Sequence, residues 1–134
     1  MITTLVDTNI LVYAAGVNTD KTHQATAANA LNEIRHVGAL PVQALSEFAA
    51  VLLRHNRPAD VILHDVETLA GTWPVLHPTA RTVTEALAGV RDHQLSFWDA
   101  MLWAIAVEHR LSAILSEDGP TGHSIHGVEY VSPF

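Results

Sequence analysis

The sequence predicts an α/β domain built on a parallel-rich sheet with helices against both faces. Short apolar, β-branched runs at residues 2–6, 37–42 and 113–115 read as buried strands. Stretches with apolar residues at helical spacing separate them, and strands that alternate with helices call for crossover connections. The 134 residues fit one domain, 1–134, and 49% hydrophobic against 16% charged residues describes a packed globule, not a disordered tail.

Taken in order, the first strand runs over 2–6. Asp7-Thr8-Asn9 then offers capping side chains ahead of the apolar run 10–15, which marks a strand-to-helix junction. A second helix is expected over 19–36, with Ala25, Ala28, Leu31 and Ile34 on its apolar face. After a short strand at 37–42, residues 43–55 form a helix whose stripe is Leu45, Phe48, Ala49 and Leu52. Pro58 suits the first turn of another helix reaching about residue 70. A strand at 73–76 is weakened by Pro74. Residues 79–93 read as helix with Gly89 as a soft spot, and Ser96 opens a long helix to about residue 110. A strand at 113–115, a turn-rich stretch at 119–127 and a last strand at 128–131 close the chain.

There is no cysteine, so disulfides and thiolate metal sites are excluded. Met1 is followed directly by Ile2-Thr3-Thr4-Leu5-Val6, without the basic start and apolar stretch of a secretory signal. The most apolar long segment, 95–107, is interrupted by Asp99 and is too short to span a bilayer. The expectation is a soluble cytoplasmic protein with no membrane partner. The formal charge of −7 opposes a simple nucleic-acid-binding surface of Lys and Arg. Divalent cations bound to a set of acids would reverse the field locally.

Ligands of such sheets sit beyond the carboxyl ends of the strands, and two acids fall there: Asp7 after the first strand and Asp118 after the strand at 113–115. Each acid also has an ordinary structural reading. Asp7 can be an N-cap. Glu47 lies in the first turns of its helix, where a carboxylate favours the positive end of the dipole. Asp99 ends Ser96-Phe97-Trp98-Asp99, which has the form of a capping box. Residues 100–107 have no polar face, however, so that helix is buried and the acid at its start faces a pocket or junction. Asp118 lies in the turn Ser116-Glu117-Asp118-Gly119, where Glu117 is the competing ligand.

The combination carries more than any member. Two strand ends and two helix starts can converge on one rim, where clustered carboxylates repel unless protonated or metal-bound. All-oxygen ligation suits Mg²⁺ or Mn²⁺, which support water activation and in-line displacement at phosphorus.

Val6-Asp7-Thr8-Asn9-Ile10-Leu11-Val12-Tyr13-Ala14, Ser46-Glu47-Phe48, Trp98-Asp99-Ala100 and Ser116-Glu117-Asp118 resemble, in order and spacing, the motifs of PIN-domain ribonucleases. The ending Ile125-His126-Gly127-Val128-Glu129-Tyr130-Val131-Ser132-Pro133-Phe134 is similar to one branch of the VapC-type toxins of type II toxin–antitoxin systems. The resemblance implies a Rossmann-like three-layer α/β/α sandwich with a mostly parallel sheet. It also implies Mg²⁺- or Mn²⁺-dependent cleavage of RNA leaving a 5′-phosphate and a 3′-hydroxyl, a homodimer, and inhibition by a cognate antitoxin. Carried over by position, Asp7, Glu47, Asp99 and Asp118 become the metal-binding catalytic acids. Asn9 and Ser116 become supporting polar groups, and Glu117 assists the cluster or orients a water.

Other residues keep plainer readings. His123 and His126 are surface residues of a turn-rich loop. Arg54 and Arg57, at the far end of the Glu47 helix, read as solvated charges with phosphate contact as the alternative. Trp98 and Trp103 read as core, with base stacking as the alternative. A phosphatase or phospho-acceptor domain would want a late lysine, and the single lysine is Lys21. The remaining rival is a catalytically inactive PIN-like module that binds RNA or protein.

Overall fold

The computed structural model describes all residues, Met1–Phe134. Strand β1 (Thr4–Val6) is followed by helices α1 (Thr8–Ala14) and α2 (Lys21–Glu33), then by β2 (Gly38–Pro41). Helices α3 (Val42–Arg54) and α4 (Ala59–Thr72) lead to β3 (Val75–Leu76), and α5 (Ala80–His93) and α6 (Phe97–Glu108) lead to β4 (Ala113–Leu115). The chain ends with β5 (Ser124–Ile125) and β6 (Val128–Val131).

The sheet order is β3-β2-β1-β4-β6-β5, parallel except for the β5–β6 pair. From β1 the chain winds outward to β2 and β3, then returns to place β4 on the other side of β1. The strand order therefore reverses between β1 and β4, and a crevice opens beyond their carboxyl ends.

Alternation along the strands divides the core into two layers. Val6, Leu40 and Leu115 pack with α1 to α4 on one face. Leu5, Ala39 and Ile114 pack with α5 and α6 on the other. These strand residues are between 0% and 6% exposed, so the sheet is covered on both sides and reads as continuous apolar runs. The result is a three-layer α/β/α sandwich with a mostly parallel sheet, as the resemblance implies. No helix is long and apolar enough to cross a membrane.

Four local expectations need correction. In α2 the buried residues are Ala27, Ala30 and Leu31, whereas Ala25 and Ala28 are exposed. Alanine is compatible with either face, so its spacing did not fix the helix's rotation. Within the turn-rich stretch, β5 pairs with β6 through His126 and Gly127, whose φ angles of 51° and 78° give the left-handed pair that a tight two-residue hairpin requires. Trp103 is core at 8% exposure but Trp98 is 59% exposed. Trp98 is the second residue of α6 and precedes the turns that the sheet and α5 cover.

Gly89 is a close-approach position: a Cβ there would lie 2.9 Å from Trp103 Cε3 and Cζ3. Its absence lets α5 settle onto the indole of α6, so the expected soft spot is a packing requirement. Helix propensity alone would make Gly89→Ala stabilising by about 1 kcal/mol. Overpacking opposes this with about 1–3 kcal/mol. The expected outcome is net destabilisation of roughly 1 kcal/mol in urea unfolding, and a rise in stability would refute the packing account.

Candidate active site

Asp7 stands where β1 becomes α1. Its backbone is extended (φ −79°, ψ 155°), as an N-cap requires, and its Oδ1 accepts the Thr8 N–H at 2.7 Å. Its N–H donates to the Leu115 carbonyl at 2.9 Å, so the end of β1 is laced to the end of β4. The buried Ser116 hydroxyl, one residue past β4, donates to Asp7 Oδ2 at 2.7 Å. Both readings of Asp7 thus coexist: one oxygen caps the helix, and the other is held from across the switch point.

The neighbouring acids are aimed in the same way, by neutral donors. Thr8 Oγ1 donates to Glu47 Oε2 at 2.7 Å, and Gln43 Nε2, one turn earlier on α3, donates to Oε1 at 3.0 Å. Asn9 Nδ2 donates to Asp118 Oδ2 at 3.1 Å, while the Glu117 N–H donates to Asn9 Oδ1 at 3.4 Å. Ser116 Oγ also accepts the Asp118 N–H at 3.2 Å.

Asp99 sits in the first turn of α6. Ser96 Oγ accepts its N–H at 3.3 Å, which is half of the capping box and leaves the Asp99 carboxylate to the crevice. The fully buried Tyr130 of β6 donates its hydroxyl to the Asp99 carbonyl at 2.7 Å and so fixes the start of α6 against the sheet. Burial, then the charges of Asp99 and Asp7, push the Tyr130 phenol above its usual pKa, so it stays a donor.

Asp7, Glu47 and Asp99 line one cleft of about 390 Å³ together with the apolar Pro41, Ala44 and Met101. Asp7, Glu47, Asn9 and Asp118 line an adjoining hollow of about 600 Å³. The two share Asp7, Thr8 and Glu47, and neither is lined by a Lys, Arg or His. Arg57 is elsewhere, donating from Nη2 to the Ala15 carbonyl at 3.2 Å at the end of α1. His123 and His126 are exposed, outside both hollows.

Glu117 turns away from this group. Its Oε1 lies 3.3 Å from His23 Nε2. Hydrogen bonding to the same carboxylate, reinforced by burial and by its charge, pushes the Tyr13 hydroxyl up to about 12. Tyr130, Thr8 and Gln43 are positioning residues that sequence reasoning did not assign. Gln43 carried a signal in its i,i+4 spacing to Glu47. Tyr130 carried none, because its partner is distant in the chain.

No three Asp, Glu or His side chains close around a single point in this conformation. The carboxylates of Asp7, Glu47 and Asp118 are instead met by the neutral donors just described, and that of Asp99 accepts no hydrogen bond from the protein. The donor set nevertheless matches a hard divalent cation: every group is a carboxylate oxygen, with the Asn9 amide adjacent. Burial, augmented by the charges of Asp99 and Glu47, raises the Asp7 pKa against the lowering effect of its Ser116 and Thr8 hydrogen bonds. An ionised Asp7 is therefore electrostatically uncomfortable without a cation.

Residues 4–119 match the sequence profile of the PIN domain. Among solved structures, the chain superposes on a toxin–antitoxin complex from Klebsiella pneumoniae with a TM-score of 0.75 at 20% identity, covering 98% of each chain. It superposes on Mycobacterium tuberculosis VapC20, a sarcin–ricin loop cleaving toxin, with a TM-score of 0.71 at 22% identity, covering 88% of this chain and 92% of the other. DNA-bound VapBC from Salmonella typhimurium gives a TM-score of 0.71 at 15% identity over 100% of both chains. At these identities the likeness is one of fold. A search of curated proteins returns no match.

The raised Asp7 pKa has a stability consequence whose sign is fixed. Its contribution is fully present below the ordinary value of 3.8 and is lost as pH rises through the higher folded value. In metal-free protein, Asp7→Asn should therefore raise Tm near neutral pH, and the difference from wild type should close as the solution is acidified. Equal melting curves at neutral pH would refute the assignment of burial as the dominant cause.

Proposed function

This chain belongs to the PIN-domain family, and from that premise we propose that it is a divalent-metal-dependent endoribonuclease, the toxin of a toxin–antitoxin pair. The observation that carries the reading is the gathering of Asp7, Glu47, Asp99 and Asp118 around two adjoining hollows at the reversal of strand order. Mg²⁺ or Mn²⁺ would be held by those four acids, with Asn9 and Ser116 in support and Glu117 at the periphery. When bound there, such an ion lowers the pKa of water and neutralises charge that gathers on phosphate oxygens.

The chain's own residues do the rest. Asp7, tied to both β1 and β4, is the fixed point of the group. Thr8 and Gln43 hold Glu47 at the shared edge of the two hollows, so a scissile phosphate bound beside Asp7 meets a carboxylate already oriented. Asn9 orients Asp118, which lies exposed just past the end of β4. The positive end of the α6 dipole, presented with Asp99, favours an anionic substrate there.

A homodimer and a cognate antitoxin belong to the same reading, and RNA as substrate places the work in the cytoplasm. Leu53 of α3 with Val61 and Leu63 of α4, each about half exposed, offers apolar surface for such partners. VapC20 is a toxin that cleaves the sarcin–ricin loop, which supports RNA as the substrate class.

Chelation should abolish cleavage of RNA, and added Mg²⁺ or Mn²⁺ should restore it, with 5′-phosphate and 3′-hydroxyl products. Asp7→Asn, Glu47→Gln and Asp99→Asn should each lower kcat/KM by roughly a hundredfold or more in folded protein, and Ser116→Ala by roughly ten- to a hundredfold. Cleavage that persists in chelator would sink the reading. RNA binding with no cleavage under either ion would favour the inactive binding module.

A further inference from the structure

The geometry points to Trp98 as a substrate-positioning residue, whose indole stacks an unpaired nucleobase next to the scissile phosphate. This rests on the nuclease reading above and adds a substrate contact that none of the four acids makes. Three observations support it.

First, Trp98 is 59% exposed, whereas Trp73 and Trp103 are each 8% exposed and lie in the two cores. Exposing so large an apolar surface is unfavourable for folding, so folding alone gives no reason for it. Its ring meets Phe97 edge to face, with centroids 5.0 Å apart. The neighbour supports the indole without covering it.

Second, Trp98 lines the same cleft as Asp7, Glu47 and Asp99, and is the residue immediately before Asp99 in the first turn of α6. The lining it shares includes the apolar side chains of Met101, Leu102 and Ile105 from the same helix. An exposed indole among apolar lining residues suits the flat face of a base better than a phosphate or a hydrated ribose.

Third, neither hollow offers a cation from the protein. Lys, Arg and His are absent from both linings, so the side chains there supply no ionic contact to the backbone. Affinity that does not come from bound divalent ions must then come largely from the base, and stacking is the sequence-tolerant way to obtain it. In a continuous duplex both faces of each base are already covered by neighbours. Trp98 can reach only a base in a loop, at an end or in a single strand.

The test uses intrinsic fluorescence, because one exposed tryptophan dominates the response to a surface ligand. A short dye-labelled single-stranded RNA of mixed sequence is titrated into Asp118→Asn protein with Mg²⁺, and the same strand annealed to its complement is the control. Anisotropy of the dye reports binding, and tryptophan emission reports stacking. The expected result is quenching that tracks binding of the single strand and is missing with the duplex. In the active background, Trp98→Ala should raise KM about tenfold and leave kcat within a factor of about two, while Trp98→Phe keeps most of the affinity. Trp98→Phe also controls for any effect of Trp98→Ala on folding. If RNA binds and is cut while emission stays constant, or if Trp98→Ala leaves KM unchanged, the stacking role is overturned and the nuclease reading stands. If RNA is neither bound nor cut by wild type, both fall together.

Discussion

Everything at this site depends on a carboxylate held half-buried at the seam between two parallel strands. Asp7 accepts from the α1 backbone with one oxygen and from Ser116 with the other, while its own N–H is bonded to the last residue of β4. The Ser116 contact joins points 109 residues apart in sequence. They fix the spot at which the chain's two windings diverge, so every other acid is placed relative to it. Burial makes an ionised Asp7 costly, and its hydrogen bonds compensate only in part. A fold that retains such a group has given up stability where a cation can restore it.

The architecture explains why the other acids arrive there. Helix α6 is covered by the sheet on one side and by α5 on the other, with Gly89 allowing the close approach to Trp103. A helix enclosed in this way presents its N-terminal turn, with Asp99, at the edge of the sheet, and Tyr130 fastens that turn from β6. On the opposite face α3 leaves β2 at once, which carries Glu47 to the same rim within about one and a half turns. The hydrogen bonds from Thr8, Gln43 and Asn9 then orient Glu47 and Asp118. This gives an acid set that is oriented but open, in keeping with the lack of a closed three-ligand cluster.

Much of this was legible in the sequence because it follows from periodicity and punctuation. Continuous apolar strands, the Asp7-Thr8-Asn9 junction and the run of residues 100–107 with no polar face each carried a local physical signal. What stayed hidden depended on tertiary surroundings. The rotation of α2 was misjudged because its alanines fit either face. Trp98 looked like core because its exposure is set by where α5 stops covering α6. The direction of Glu117, toward Tyr13 and His23 and away from the acid group, depends on contacts with α1 and α2 that a single loop's residues do not reveal. The reversal of strand order, which brings Asp7 beside Ser116, likewise cannot be read from any local pattern.

The central claim is that these oxygens form one cation site anchored on Asp7. Titration of Mn²⁺ into metal-free protein, with the unbound ion followed by its electron paramagnetic resonance signal, tests it directly. Saturable uptake by wild type that is lost in folded Asp7→Asn protein is the result the account requires. Equal free Mn²⁺ over both proteins would contradict it.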